Sequence, residues 1–327
     1  MASHSRRRKW LKRVLWILLS LVVFFLLAVV PYGLSWLIVN GSYHFPDPDS
    51  GKTPASFGVP YEDVEFSSEP GIQIRGWYVP ALDVKGSAPS VATSGPRGTV
   101  ILVHGLNRTR VEMLTRAIFL SKAGYNGLLL DLRHHGVSGG KVSSLGYYES
   151  HDVRASLDFL KSRKDVHGPF ALWGVSMGAT ASLLAFAGNP EFSCVIADSP
   201  FLSFEDTIVH HAHLLLHLPR FPIVDLILFI TSHRLGFRMG DFDLRNTVRE
   251  IGPRPILFVA GTADQRMPPE ITKALFGIAS SPQKQLLLVE GAKHGGSYHQ
   301  DPATYEQVVL RFFQTTLKPH PNGLLGP

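Results

Sequence analysis

Phe170-Ala171-Leu172-Trp173-Gly174-Val175-Ser176-Met177-Gly178-Ala179-Thr180-Ala181-Ser182-Leu183-Leu184 is the stretch whose reading decides the fold. It opens as an apolar run of strand length and closes on helix-favouring residues, and two glycines bracket the serine in between. The G-x-S-x-G spacing predicts a strand, a turn too tight for side chains at its flanks, and a helix beginning at Ser176. In such a turn the serine takes a strained backbone conformation that pushes its hydroxyl out of the sheet. The helix points its free N–H groups and the positive end of its dipole at the same place.

Working outward, Pro255-Ile256-Leu257-Phe258-Val259-Ala260 reads as a buried strand, and Gly261-Thr262-Ala263-Asp264 ends it with an acid. Gln285-Leu286-Leu287-Leu288-Val289 reads as the next strand, followed by Glu290-Gly291-Ala292-Lys293-His294-Gly295-Gly296. Upstream, Thr99-Val100-Ile101-Leu102-Val103 runs into His104-Gly105-Leu106-Asn107. Serine, acid and histidine thus all lie on loops at strand C-terminal ends, the edge of an open parallel sheet where ligands bind. A serine hydroxyl is a poor nucleophile at neutral pH unless a base is aligned with it. Asp264 has a rival in Asp198, which follows the strand Cys194-Val195-Ile196-Ala197. His294 has rivals in His104, His134, His135 and His299, and Asp131 reads as a structural acid pinning the loop that follows it.

These segments resemble the α/β-hydrolase superfamily over residues 61–317, and the order Ser, Asp, His is the one that superfamily uses. The likeness is strongest to bacterial serine hydrolases with D-x-R-x-H-G-x-S-x-G after the fourth strand, here Asp131-Leu132-Arg133-His134-His135-Gly136-Val137-Ser138-Gly139-Gly140. Residues 291–305 (GAKHGGSYHQDPATY) resemble their histidine loop and last helix. The sequence departs at His134, where the usual residue before the histidine is glycine. The resemblance implies an α/β fold with a mostly parallel sheet of about eight strands and helices on both faces. It also implies Ser176 as nucleophile, His294 as general base, and Asp264 as the group that orients and stabilises the imidazolium. The backbone N–H groups of Leu106 and Met177 would form the oxyanion hole. The implied reaction is acyl transfer to water through an acyl-serine intermediate, with carboxylic esters or lipid-like acyl compounds as the first substrate class. A serine peptidase with the same triad is the alternative, and a non-catalytic binding module on a hydrolase scaffold is a third. No organic cofactor and no metal is implied.

The N-terminus carries a second signal. Residues 14–39 are 26 positions without a charge, about 39 Å as a helix against a hydrocarbon core of roughly 30 Å, so a tilt or a bend at Pro31 is expected. Arg6, Arg7, Arg8, Lys9, Lys12 and Arg13 precede the run, whereas Asp47, Asp49, Glu62 and Asp63 outnumber Lys52 after it. The positive-inside rule therefore puts residues 1–13 in the cytoplasm, a single uncleaved span at 14–39 in the inner or plasma membrane, and the rest on the far side. A cleaved signal peptide has a shorter apolar region. Those six cations equal the formal net charge of +6, so basicity here reports topology and nucleic acid is not an expected partner.

Residues 40–58, with three prolines, read as a linker lifting a domain at 59–317 off the bilayer. Within that domain, 61–80 alternates around Glu69-Pro70-Gly71 as an edge hairpin, and 81–98 is a Ser/Pro/Gly loop. An insertion at 203–247, rich in leucine and isoleucine, is the expected lid, its apolar face turned to the cleft or to the bilayer. On it, His210, His213 and His217 share a helical face beside His211, but nothing nearby completes a metal site. Residues 318–327 read as a frayed tail. The single cysteine, Cys194, excludes an intrachain disulfide.

Overall fold

Alternating apolar and polar residues make the edge of the sheet, and continuous apolar runs make its centre. The structure is a computed structural model that describes residues 2–41, 46–47, 49–82 and 96–318. The expected tail apart from Lys318, most of the 81–98 loop, and residues 42–45 and 48 of the expected linker lie outside the described residues. Strands β1 (Glu62–Glu69) and β2 (Ile72–Val79) form the edge hairpin, with Val64 and Ile74 buried between exposed neighbours. Strands β3 (Thr99–Val103), β4 (Asn126–Asp131), β5 (Phe170–Val175) and β7 (Ile256–Gly261) are buried at every position. β6 (Phe192–Asp198) is nearly so, and β8 (Gln285–Val289) is a half-buried edge. Burial along the whole strand is what a parallel sheet covered on both faces requires.

The order across the sheet is β1-β2-β4-β3-β5-β6-β7-β8. β2 is antiparallel to both neighbours, and every pairing from β4 through β8 is parallel. The connections supply helices α1 (Ala2–Phe24), α2 (Val30–Asn40), α3 (Leu114–Lys122), α4 (Glu149–Ser162), α5 (Met177–Gly188), α6 (Phe204–Leu216), α7 (Asp225–Leu235), α8 (Leu244–Ile251), α9 (Pro269–Ile278), α10 (Ser297–Gln300) and α11 (Pro302–Thr316). One set of alternate strand residues, among them Val100, Leu102, Trp173, Ile196, Leu257 and Val259, packs in a cluster with Ala117 and Leu120 of α3 and Tyr305, Val309, Phe312 and Phe313 of α11. The intervening residues Ile101, Leu172, Val195 and Phe258 are equally buried. Strand geometry turns them to the opposite face, and α5 contacts β5 and β6 while α4 and α8 contact α5.

The chain divides into two compact units, one of Ser42–Phe204 with Phe242–Pro327 and one of Met1–Gly41 with Glu205–Asp241. The sheet belongs to the first. In the second, α1, a π-helical turn at Phe25–Val29 and α2 run on as one N-terminal helix. Over Arg6–Asn40 it is the one described helix long and apolar enough by itself to cross a membrane. The basic segment expected as a tail is part of this helix, which starts at Ala2. The Val30 N–H bonds to Phe25 O, five residues back, so the widened turn comes immediately before Pro31, whose ring would otherwise press on the preceding turn. α2 and α7 are in contact, and each buries a stripe: Pro31, Ser35 and Val39 on one, Ile227, Leu228, Thr231 and Leu235 on the other.

Of the expected insertion at 203–247, the second unit takes Glu205–Asp241. That segment ends before α8, which buries Leu244, Thr247, Val248 and Ile251 and contacts α5 and α9 of the sheet unit. His217 lies past the end of α6 in left-handed backbone (φ 53), its ring stacked on His213 at 6.2 Å, while His210 stands edge-on to His211.

Phe258 is fully buried in β7. We expect Phe258→Ala to lower stability by about 3–5 kcal/mol, read as a clear fall in the thermal midpoint of the full-length protein; an unchanged midpoint would contradict this packing.

Candidate active site

The strand register brings three loops to one edge. Val175 is paired with Asp198 and Asp198 with Val259, while Gly261 is paired with Val289. The chain therefore leaves β5, β7 and β8 at nearly the same level, and the loops carrying Ser176, Asp264 and His294 begin there. Ser176 has φ 54 and ψ −117, a conformation that costs of order 1–3 kcal/mol and persists only where the surroundings impose it. Its N–H is tied to Asp198 O at 2.8 Å, and its carbonyl accepts the Thr180 N–H at 3.1 Å. The flanking glycines are sterically required. A Cβ on Gly174 would lie 2.2 Å from Gly178 O, and one on Gly178 would lie 2.2 Å from Val103 O.

His294 Nε2 is 2.8 Å from Ser176 Oγ, and its Nδ1 is 2.8 Å from Asp264 Oδ2. Asp264 is buried, and its Oδ1 accepts the Arg266 and Met267 N–H groups at 2.9 and 2.8 Å. Those bonds fix the carboxylate plane and leave Oδ2 for the imidazole. Ser176 is only 7% exposed, so little of it meets bulk solvent. Met177 opens α5 directly after the serine. Leu106 follows Gly105 in the turn after β3, and a Cβ on Gly105 would sit 3.4 Å from Ser176 Cβ, so that turn runs beside the serine.

The rival residues occupy other places. Asp198 is buried, and its oxygens accept from Ser199 Oγ, Ser297 Oγ and Tyr305 OH at 3.0, 3.3 and 3.0 Å. Burial pushes its carboxyl above the usual range, against the lowering effect of nearby Arg116. His104 bridges two backbones, with Nδ1 on Gly105 O at 2.7 Å and Nε2 accepting the Leu132 N–H at 3.0 Å. His135 Nδ1 meets Arg133 O at 2.8 Å. Asp131 pins the following loop through the Val137 N–H at 3.0 Å, and it also accepts the Arg110 N–H, from the turn before α3, at 2.7 Å. His134 stands at φ 62, a left-handed backbone that glycine adopts without cost. That is the physical sense of the glycine usual at this position.

Two site-supporting residues were missed in the sequence. Glu112 Oε2 accepts the Gly105 N–H at 2.6 Å and so braces the turn carrying Leu106. Burial raises its carboxyl, opposed by that hydrogen bond and by Arg116. Arg116 is wholly buried, its guanidinium 4.8 Å from the Tyr298 ring centroid and 5.9 Å from that of Trp173. Its Nη1 donates to Glu112 O at 3.0 Å, while Nε and Nη2 have no hydrogen-bond partner among the described residues. The available signal was the ladder Arg108, Glu112, Arg116 at i, i+4 spacing, of which the first pair lies 3.8 Å apart.

A parallel sheet with a strained serine between β5 and α5, and acid and histidine loops at the same edge, defines a class of fold that known proteins share. A profile described as serine aminopeptidase, S33, matches residues 94–233. The uncharacterized protein YqkD of Bacillus subtilis (strain 168) is 30% identical over 233 residues, covering 70% of this chain and 75% of that protein. The alpha/beta hydrolase domain-containing protein WAV2 of Arabidopsis thaliana is 26% identical over 275 residues, 80% of this chain and 81% of that one. The solved structure of the Pyrococcus furiosus esterase Pf2001 aligns with TM-score 0.67 at 24% identity, over 85% of this chain and 99% of that chain. The chain belongs to the α/β-hydrolase superfamily.

The two acids differ in a measurable way. We expect Asp198→Asn to lower stability by about 1–3 kcal/mol, because an amide cannot accept all three hydroxyls that the buried carboxyl oxygens hold. Asp264→Asn keeps the oxygen that Arg266 and Met267 bind and should leave the thermal midpoint nearly unchanged. Equal melting of the two variants would contradict this division.

Proposed function

We propose that the chain is a membrane-anchored serine hydrolase that cleaves carboxylic esters through an acyl-serine intermediate. The observation that carries the reading is the pair of 2.8 Å contacts joining Ser176, His294 and Asp264 in line. His294 Nε2 takes the Ser176 proton as Oγ attacks the ester carbonyl, and Asp264 holds the ring through Nδ1 and stabilises the imidazolium. The tetrahedral oxyanion is received by the N–H groups of Met177 and Leu106, each worth roughly 3–4 kcal/mol in the transition state. The imidazolium returns its proton to the departing alcohol, and water repeats the sequence on the acyl-serine. The apolar helix at Arg6–Asn40 is the anchor. The basic residues at its N-terminal end put the N-terminus in the cytoplasm and the hydrolase unit on the opposite side.

The ester preference draws on the esterase named among the solved structures. Peptide cleavage by the same triad is the second reading, favoured by the serine aminopeptidase description of the matching profile.

A fluorophosphonate probe should label the wild type and lose its target in Ser176→Ala, while Asp264→Asn should lower ester turnover by roughly 10⁴-fold. No labelling of folded wild type would favour a binding scaffold instead. On p-nitrophenyl esters of rising acyl length set against aminoacyl amides, ester turnover should dominate; negligible ester turnover beside rapid amide cleavage would install the peptidase reading.

A further inference from the structure

Within the unit of Met1–Gly41 and Glu205–Asp241, the insertion lies along the N-terminal helix. α7 contacts α2, and the turn Arg220–Val224 contacts both α2 and the π-helical turn Phe25–Val29. The guanidinium of Arg234 stacks over the Tyr32 ring at 4.3 Å. Exposed tryptophans and tyrosines mark two levels on the helix, Trp10 and Trp16 near one end and Tyr32 and Trp36 near the other, with Phe24 and Phe25 exposed between them. The midpoints of these pairs are about 21 residues apart, roughly 31 Å at helical rise, which matches the hydrocarbon thickness that interfacial aromatics bracket. Phe25–Val29 then lies about 5–10 Å inward of Tyr32, and Arg220–Val224 beside it shares that depth.

Phe221 is 79% exposed and Phe229 is 66% exposed, and Leu215 and Leu216 are exposed at the end of α6. Phe221 lies in the turn Arg220–Val224, next to Arg220, which is paired with Glu205 and Asp225. We infer that the insertion Glu205–Asp241 is an interfacial membrane element. It seats in the leaflet at the C-terminal end of the anchor, with Phe221 and Phe229 in the acyl region and Arg220 and Arg234 at headgroup level. Three features specify a lipid surface as the occupant. The exposed apolar side chains continue the lipid-facing surface of the anchor. Their depth matches the 5–10 Å to which interfacial helices sink. The Arg220 side chain is exposed, so its guanidinium can reach headgroup phosphates while its stem lies along apolar surface. This inference rests on the anchor reading proposed above.

The test uses full-length protein in vesicles of phosphatidylcholine with phosphatidylglycerol. Single cysteines at Phe221→Cys and Val23→Cys carry a polarity-sensitive fluorophore in a Cys194→Ala background, with the thermal midpoint confirming the fold, and the same fluorophore on free cysteine is the aqueous reference. Lipids bear a nitroxide either near the headgroup or near the chain end. Position 221 should emit as in an apolar medium and be quenched about twofold more by the shallow nitroxide. Position 23, near the middle of the anchor, should be quenched more by the deep one, and the aqueous reference by neither. If 221 behaves like the aqueous reference while 23 is quenched, the anchor stands and the interfacial insertion is overturned. If 23 also behaves like the aqueous reference, the anchor reading and this inference fall together.

Discussion

The whole arrangement depends on how closely one helix start approaches one strand end. Gly178 lies so near the carbonyl of Val103, and Gly174 so near that of Gly178, that neither position has room for a Cβ. Only with α5 pressed this tightly against β3 and β5 does the chain turn at Ser176 with positive φ, and only that turn lifts the hydroxyl to the level of the histidine loop. Strain at one residue is held by the burial of the strands around it, each large apolar side chain contributing about 1.5–3 kcal/mol.

Beneath the site lies a buried polar scaffold. Asp198 ties the Ser176 N–H through its carbonyl and receives Ser297 and Tyr305 through its carboxylate. It thereby links the elbow to the helices that follow the His294 loop. Glu112 and His104 brace the β3 turn from two sides. The Arg116 guanidinium, over the Tyr298 ring, favours the charged form of both acids. Buried charges are costly unless matched, and here they sit where backbone must be held against its preference.

The strands were legible because each apolar run marks the body of the strand it forms. Ser176, Asp264 and His294 were legible as candidates because each follows such a strand within a few residues. Less could be read where contact is made across the fold. The brace from Glu112 to Gly105 spans a turn whose geometry no local pattern states. The expected insertion at 203–247 cuts into α8, whose Leu244, Val248 and Ile251 at i, i+4, i+7 carry the signature of a helix with one buried face. The pairing of α7 with α2 joins segments nearly two hundred positions apart, and nothing in either stretch names its partner. His134 was noticed as a departure from family usage, but its cause, a left-handed backbone, appears only in three dimensions.

The most direct measurement is an experimental structure of the full-length protein after reaction with a phosphonate ester, whose tetrahedral phosphorus stands in for the acyl carbon in its transition state. The adduct should sit on Ser176 Oγ, with one phosphonyl oxygen about 2.7–3.1 Å from both the Leu106 and Met177 nitrogens and His294 Nε2 still facing Oγ. An adduct on another residue, or a phosphonyl oxygen turned away from both N–H groups, would contradict the proposed chemistry.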